Sequence, residues 1–353
     1  MKKTLAICLA AAMACSLLLT GCGGSGSGSA SSSGGASASS AGSQTSGDTI
    51  VLSCATKVTE DSFEGKTYQH FADLVKEYTN GSVEVQIYPS EQLGDSTTTV
   101  NNMQLGTIDM YIEGSTFYSG YGVDVLFTSS PFLMTEWEDY LELVTGEFGD
   151  LQMQQMEKAG FKMLCSDRSW QRGPYYVTCS TKPINSLDDL KATKLRSADS
   201  AAFMNAMSFL GVSTTVVNYS ECYMALQQGT VEAVNCPVSN VESMAFYEVG
   251  PYVSYMNCYP QELWPVMNLD KFNSLTQEQQ DALVKAANDA AAYSNEELYT
   301  FTDEMIARLE GEGAQFNMDF DCGVIQDALH DYYAEEAAKG NIPELVAQFL
   351  GLL

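Results

Sequence analysis

The chain has 353 residues, with 45 Asp and Glu against 17 Lys and Arg and a formal net charge of -28 at pH 7. Phosphate binding needs clustered cations, so this balance excludes nucleic acid as a partner, and it equally excludes adhesion to anionic lipid through a basic face. Apolar residues make up 45% and aromatics 10%, the composition of a folded chain long enough for about two domains.

The first 22 residues read as a targeting signal: Lys2 and Lys3, an apolar run from Leu5 to Leu19, then "LLTGC". The run is too short for a transmembrane helix. "LTGC" resembles the lipobox of bacterial lipoproteins, which implies acylation of Cys22 and a membrane anchor; an ordinary cleaved signal is the alternative. Residues 23–48, rich in Gly and Ser, have no apolar periodicity and read as a flexible tether.

From residue 49 strand and helix signals alternate. "TIVLSCAT" predicts a strand. "SFEGKTYQHFADLVKEYTNG" predicts a helix with Tyr68, Phe71, Val75 and Tyr78 on one face, ended by Asn80-Gly81. The alternating "SVEVQIYP", a helix over 95–105 and the strand "IDMYIEG" complete a β-α-β-α-β run, which favours a parallel sheet. A second series starts near residue 175 with strands "YYVTCS", "TKLRS", "STTVV" and "VEAVNC", separated by helices near 186–191, 199–210 and 220–228. In such sheets ligands bind beyond the carboxyl ends of the strands.

"TQEQQDALVKAANDAAAYSNEELYTFTDEMIARLEG" opens on a capping box, Thr276 with Gln279, and runs without Pro or Gly to Gly311. At about 1.5 Å per residue it spans about 50 Å and bridges both domains; two helices broken near Ser294-Asn295 are the alternative. Helices over about 321–339 and 343–352 finish the chain.

Outside the signal, the seven cysteines Cys54, Cys165, Cys179, Cys222, Cys236, Cys258 and Cys322 are odd in number and show no zinc-like spacing. They read mostly as small core residues, and no pairing is predicted. His70 and His330 are the only histidines; neither stands near a nucleophile motif, and no P-loop, HExxH or dinucleotide fingerprint occurs. No cofactor or metal is expected. A lipid-anchored hydrolase is kept as a competing reading that turnover would reveal.

The run "KPINSLDDLKATKLRSADSAAFMNAMSFLGVSTTVVNYSECYMALQQGTVEAVNCPVSNVESMAFYEVGPYV", with "PSEQLGDS", "MQLGTIDM" and "LTQEQQDAL" in order around it, resembles the DctP family. These are the extracytoplasmic solute-binding proteins of tripartite ATP-independent periplasmic (TRAP) transporters. The resemblance covers essentially all of 49–353. It implies an α/β, two-lobed periplasmic-binding-protein-like fold with a ligand cleft between the lobes and a long helix bridging both. The expected division is 49–171 plus 262–303 for lobe I and 172–261 plus 304–353 for lobe II.

The resemblance also implies site residues. Arg196, after "KL", takes the place of the family's carboxylate clamp, and its predicted strand-end position suits a cleft residue; guanidinium presents a planar fork to both carboxylate oxygens. Many relatives carry another arginine where Tyr175 falls here, with Arg172 three residues earlier as a substitute contact or an interdomain charge. Arg168 reads as structural. Where relatives have Asn before Pro, this chain has Cys236, with Asn235 one position earlier, and in a strand a one-residue shift turns the amide to the other face. Tyr219 aligns with an aromatic wall of the ligand site. Glu113 aligns with a ligand-facing position and suits an acid bearing hydroxyls or an amine. Gln261 and Trp264 follow the crossover back to the first domain and are further candidates.

The function so implied is capture of one small carboxylate, with Arg196 as anchor between closing lobes, and delivery to the integral-membrane subunits of a TRAP transporter, outside the cytoplasm and without catalysis. A receptor feeding a sensor system shares the binding physics. An ATP-driven importer fits the long bridging helix less well.

Overall fold

A computed structural model describes residues 49–125 and 130–353. The signal, Cys22 and the tether expected over 1–48 lie outside the described residues. Eleven strands are described: β1 (Ile50–Ala55), β2 (Val83–Tyr88), β3 (Met110–Glu113), β4 (Phe161–Met163), β5 (Tyr176–Ser180), β6 (Lys194–Ser197), β7 (Ser213–Val216), β8 (Ala233–Pro237), β9 (Tyr252–Tyr255), β10 (Trp264–Asn268) and β11 (Gln315–Asn317). They form two sheets, ordered β2-β1-β3-β10-β4 and β11-β9-β5-β8-β6-β7.

The expected β-α-β-α-β run is present, with β1 parallel to β2 and to β3. The first sheet is nevertheless mixed. When the chain returns from the second lobe it inserts β10 antiparallel between β3 and β4. β10 is buried at all five positions and contains Pro265, so it lacks the period-two alternation that marks a half-exposed strand. In the second sheet β6 runs parallel to β7 and β8, whereas β5 runs antiparallel to β8 and β9.

Alternation assigns each strand's side chains to one of two cores per sheet. Met110 and Ile112 pack with Tyr68, Phe71 and Val75 of the helix Phe63–Tyr78, while Tyr111 between them packs with Val100 and Met103. Helix Phe63–Tyr78 is capped by Ser62, whose hydroxyl accepts the Gly65 N–H at 3.0 Å. It ends as the sequence predicts, with Asn80 and Gly81 both at positive φ. Gly65 has a packing reason: a Cβ there would stand 2.3 Å from the Thr59 carbonyl oxygen, so glycine lets the loop after β1 lie against the helix.

The long helix is continuous from Gln277 to Gly311 and starts with the expected capping box. Its first half buries Leu283, Ala286, Ala287, Ala290 and Ala291 against the first lobe, and its second half places Met305 and Leu309 in the core of the second. The helix runs unbroken through Ser294-Asn295, where each side chain makes a hydrogen bond. Ser294 Oγ accepts from Thr67 at 3.2 Å, and Asn295 Nδ2 donates to the Ser169 carbonyl at 2.8 Å.

One boundary needs correction. Residues 49–171 were expected to lie in lobe I, yet Phe132, Met134, Leu143 and Val144 share a core with Leu195, Phe203 and Ile325 of the second lobe. Backbone and side-chain bonds hold them there: Phe132 N–H donates to the Cys258 carbonyl at 2.6 Å and Tyr333 Oη to the Pro131 carbonyl at 2.7 Å. The seven cysteines in the described residues are free and six are buried. Among the described residues no helix is long and apolar enough to cross a membrane.

The small residues of the long helix set its approach to the first lobe. Ala290 is fully buried there, so Ala290→Leu is expected to cost about 1–3 kcal/mol by overpacking, read as a lower urea midpoint at unchanged m-value.

Candidate functional site

The two lobes are joined at adjacent crossovers that pair with each other. Gln171 faces Glu262 in an antiparallel bridge, Arg172 N–H donates to the Gln261 carbonyl at 2.7 Å, and Leu263 N–H donates to the Trp170 carbonyl at 2.9 Å. Beside this hinge lies a cleft of about 240 Å³, lined from the first lobe by the loop after β1 and the end of β3, and from the second by the ends of β6, β7 and β8. This is where the strand-end rule puts a ligand.

At its inner end sits a buried ion cluster. The Glu113 carboxylate, 2% exposed, receives Lys57 Nζ at 2.9 Å, a guanidinium Nη of Arg172 and the Gly114 N–H at 3.0 Å, all on Oε1. Burial works to raise the Glu113 pKa, but Arg172 and then Lys57 outweigh it and hold the carboxyl down at about 2. Burial likewise pulls Arg172 down, and Glu113 more than compensates, so Arg172 stays charged. Arg172 belongs to the hinge and Glu113 to β3, so this pair fixes the crossover to the first sheet.

Arg196 stands apart. Its Nε donates to the Val217 carbonyl at 2.9 Å, its guanidinium lies 5.3 Å from the centre of the Tyr219 ring, and it makes no ion pair among the described residues. With Nε so held, both Nη groups remain as a fork for a carboxylate. Tyr219 is itself fixed, its Oη accepting from Asn240 Nδ2 at 2.6 Å, and its ring also receives Lys57 Nζ at 5.2 Å. Two cations from opposite lobes thus share one aromatic ring.

The structure brings together Arg196, Arg172, Tyr219, Glu113, Asn235 and Gln261, all of which line the cleft. It removes Tyr175, Cys236 and Trp264. Tyr175 packs edge-on against Tyr255 at 5.6 Å, and its neighbour Tyr176 takes the cleft position. Cys236 is fully buried with its Sγ 3.8 Å from that of Cys179, while Asn235 and Pro237 on either side line the cleft. The amide therefore stays on the ligand side, and it is the cysteine that the one-residue shift turns away. Trp264 stacks on Tyr118, lies under the Arg168 guanidinium at 5.0 Å and donates Nε1–H to Tyr140 Oη at 3.2 Å, which makes it a core residue. Arg168, 3% exposed, also donates to the Gly149 carbonyl.

Sequence reasoning missed Lys57, Tyr176, Tyr259 and Glu262. Lys57 follows the carboxyl end of β1 by two residues, so the strand-end rule applied to the first strand would have found it. Glu262 is 7% exposed; its Oε1 accepts the Ser115 N–H at 2.8 Å and its Oε2 has no partner among the described residues. Burial raises its pKa to about 7, against the pull of Ser115 and Arg172. Two further side-chain oxygens of cleft residues, Glu113 Oε2 and Gln261 Oε1, also lack a donor among the described residues.

Residues 54–339 match the DctP family, described as bacterial extracellular solute-binding protein, family 7. The 2,3-diketo-L-gulonate-binding periplasmic protein YiaO of Escherichia coli (strain K12) is 28% identical over 274 residues, covering 76% of this chain and 83% of that protein. The C4-dicarboxylate-binding periplasmic protein DctP of Rhodobacter capsulatus is 27% identical over 292 residues, covering 82% and 83%. Among solved structures, a TRAP periplasmic solute-binding protein from Roseobacter denitrificans with bound L-galactonate is 26% identical, with a TM-score of 0.73 over 84% of this chain and 98% of that one.

The Glu262 carboxyl gives the fold a pH signature. Its pKa is about 7 when folded against an ordinary 4.5, so its contribution is fully present below 4.5 and is lost as pH rises through 7, because the unfolded chain then holds fewer protons than the folded one. Glu262→Gln is expected to flatten the fall in stability between pH 5 and pH 8, measured by urea unfolding at both.

Proposed function

The chain belongs to the DctP family of bacterial extracellular solute-binding proteins, and from that premise we propose that it captures a small hydroxylated carboxylate between its lobes and presents it to a TRAP-type membrane transporter. The observation that carries the reading is Arg196, a cleft cation at a strand end with no acid partner among the described residues and its fork left open. An always-charged guanidinium in a site sheltered from bulk water meets a carboxylate with little dielectric screening.

The rest of the cleft favours an acid with hydroxyl groups. Glu113 Oε2 and Gln261 Oε1 are acceptors without donors among the described residues, and a hydroxyl supplies a donor where a second carboxylate adds like charge beside Glu113. The relatives that bind 2,3-diketo-L-gulonate and L-galactonate support a sugar-acid class, and the C4-dicarboxylate-binding relative marks the alternative that the ligand screen decides. Anion capture couples to closure, since a ligand that touches both lobes stabilises the arrangement in which both reach it. In this reading the protein is an extracytoplasmic lipoprotein that catalyses nothing, held by lipid on Cys22 and given reach by the tether 23–48.

A thermal-shift screen of organic acids should show stabilisation by hydroxylated monocarboxylates, because a ligand bound only by the folded state raises its stability. Arg196→Ala is expected to weaken the best of them by about 2–4 kcal/mol, the cost of stranding a desolvated carboxylate. Arg196→Lys should recover only part of this, since the fork is lost. Unchanged affinity in calorimetry would remove Arg196 from the site.

A further inference from the structure

We propose that Lys57 is the first lobe's cationic ligand contact, gripping from one side the same acid that Arg196 holds from the other. The inference rests on the anion-site reading of Arg196 and adds a residue that sequence reasoning missed.

Three observations converge on Lys57. Its Nζ lies 5.2 Å from the centre of the Tyr219 ring, and the Arg196 guanidinium lies 5.3 Å from the same centre, so two cations on opposite lobes flank one ring and line the same cleft. Glu113 Oε1 is the one carboxylate oxygen within ion-pair distance of Lys57 and of Arg172 among the described residues, so Lys57 shares its acid partner with a second cation. Of those two cations Lys57 is the more accessible, its side chain 16% exposed against 6% for Arg172, and both line the cleft. An ammonium has three donors, and Glu113 is the one hydrogen-bonding acceptor Lys57 has among the described residues. Burial lowers the Lys57 pKa, and Arg172 and Arg196 push the same way against Glu113; an anion between Lys57 and Arg196 relieves that repulsion.

The geometry gives Lys57 a task that Arg172 lacks. Arg172 sits in the hinge, where its N–H is bonded to the Gln261 carbonyl of the adjacent crossover. Lys57 rides on the first lobe, in the loop after β1, and Arg196 on the second, at the end of β6. Without ligand the two repel and favour separated lobes; with an acid between them the sign reverses.

The test compares Lys57→Gln and Lys57→Arg with Arg196→Ala, using D-erythronate, D-gluconate, D-glucuronate and succinate as probes in calorimetry. For the probe that wild type binds most tightly, Lys57→Gln should lose at least about 30-fold in affinity, while Lys57→Arg, which keeps the charge, should stay within about 10-fold. Small-angle scattering should show that the probe compacts wild type and Lys57→Arg but not Lys57→Gln. Should Lys57→Gln fail to fold, wild type decides: the bound probe must slow acylation of Lys57 by a small amine-reactive anhydride, which transfers its acyl group to Nζ and leaves as the carboxylate, followed by mass spectrometry, and an unaltered rate overturns the proposal. Lys57→Gln binding within about threefold of wild type while Arg196→Ala fails also overturns it and leaves the Arg196 site standing. Failure of every probe with wild type, or full binding by Arg196→Ala, brings down the anion-site reading and this inference together.

Discussion

The Glu113 carboxylate is the constraint on which the cleft depends. It ends β3, binds Arg172 of the hinge and Lys57 of the loop after β1, and is almost wholly withdrawn from water. A carboxylate so buried is tolerable only with its cations in place, and the cations only with it. The chain crossing between lobes is thereby pinned to the sheet whose loops line the cleft. The same interaction explains how a strongly acidic chain keeps positive charge in one place: two cations share one acid there, and Arg196 across the cleft has none among the described residues.

Much of the fold was legible because local signals agreed with one another. The Thr276–Gln279 capping box, the Asn80-Gly81 stop and the alternation through β2 each point to the element that forms. What escaped were β4, β9, β10 and β11, three to five residues long, too short or too thoroughly buried to show a period. Their strand character comes from partners far away in sequence. The packing of Phe132 and Met134 on the second lobe is of the same kind, fixed by bonds to Cys258 and from Tyr333 that no local pattern announces.

The lining of the cleft was legible where a residue type and a strand end coincided, as at Arg196 and Glu113. Alignment alone placed other residues off it. Tyr175 and Cys236 each neighbour a residue that does face the cleft, and at period two a shift of one is a change of side. Trp264 heads a strand whose every side chain is buried, so its position after the crossover says nothing of ligand access. Lys57 belongs to no motif; its place after the carboxyl end of β1 was a signal, and its ion pair with Glu113, 56 residues further along, was not.

The acids around the cleft have a kinetic consequence. Glu91, Asp95 and Asp199 line it alongside the buried groups, and the whole molecule carries -28. An incoming anion therefore climbs a repulsive potential before it comes within reach of Arg196, the reverse of the steering that speeds capture in proteins charged opposite to their ligands. Raising ionic strength lowers that outer barrier more than it weakens contacts sheltered inside the cleft. Association then quickens with salt while the bound lifetime changes little, and capture is more efficient in a saline environment than in a dilute one.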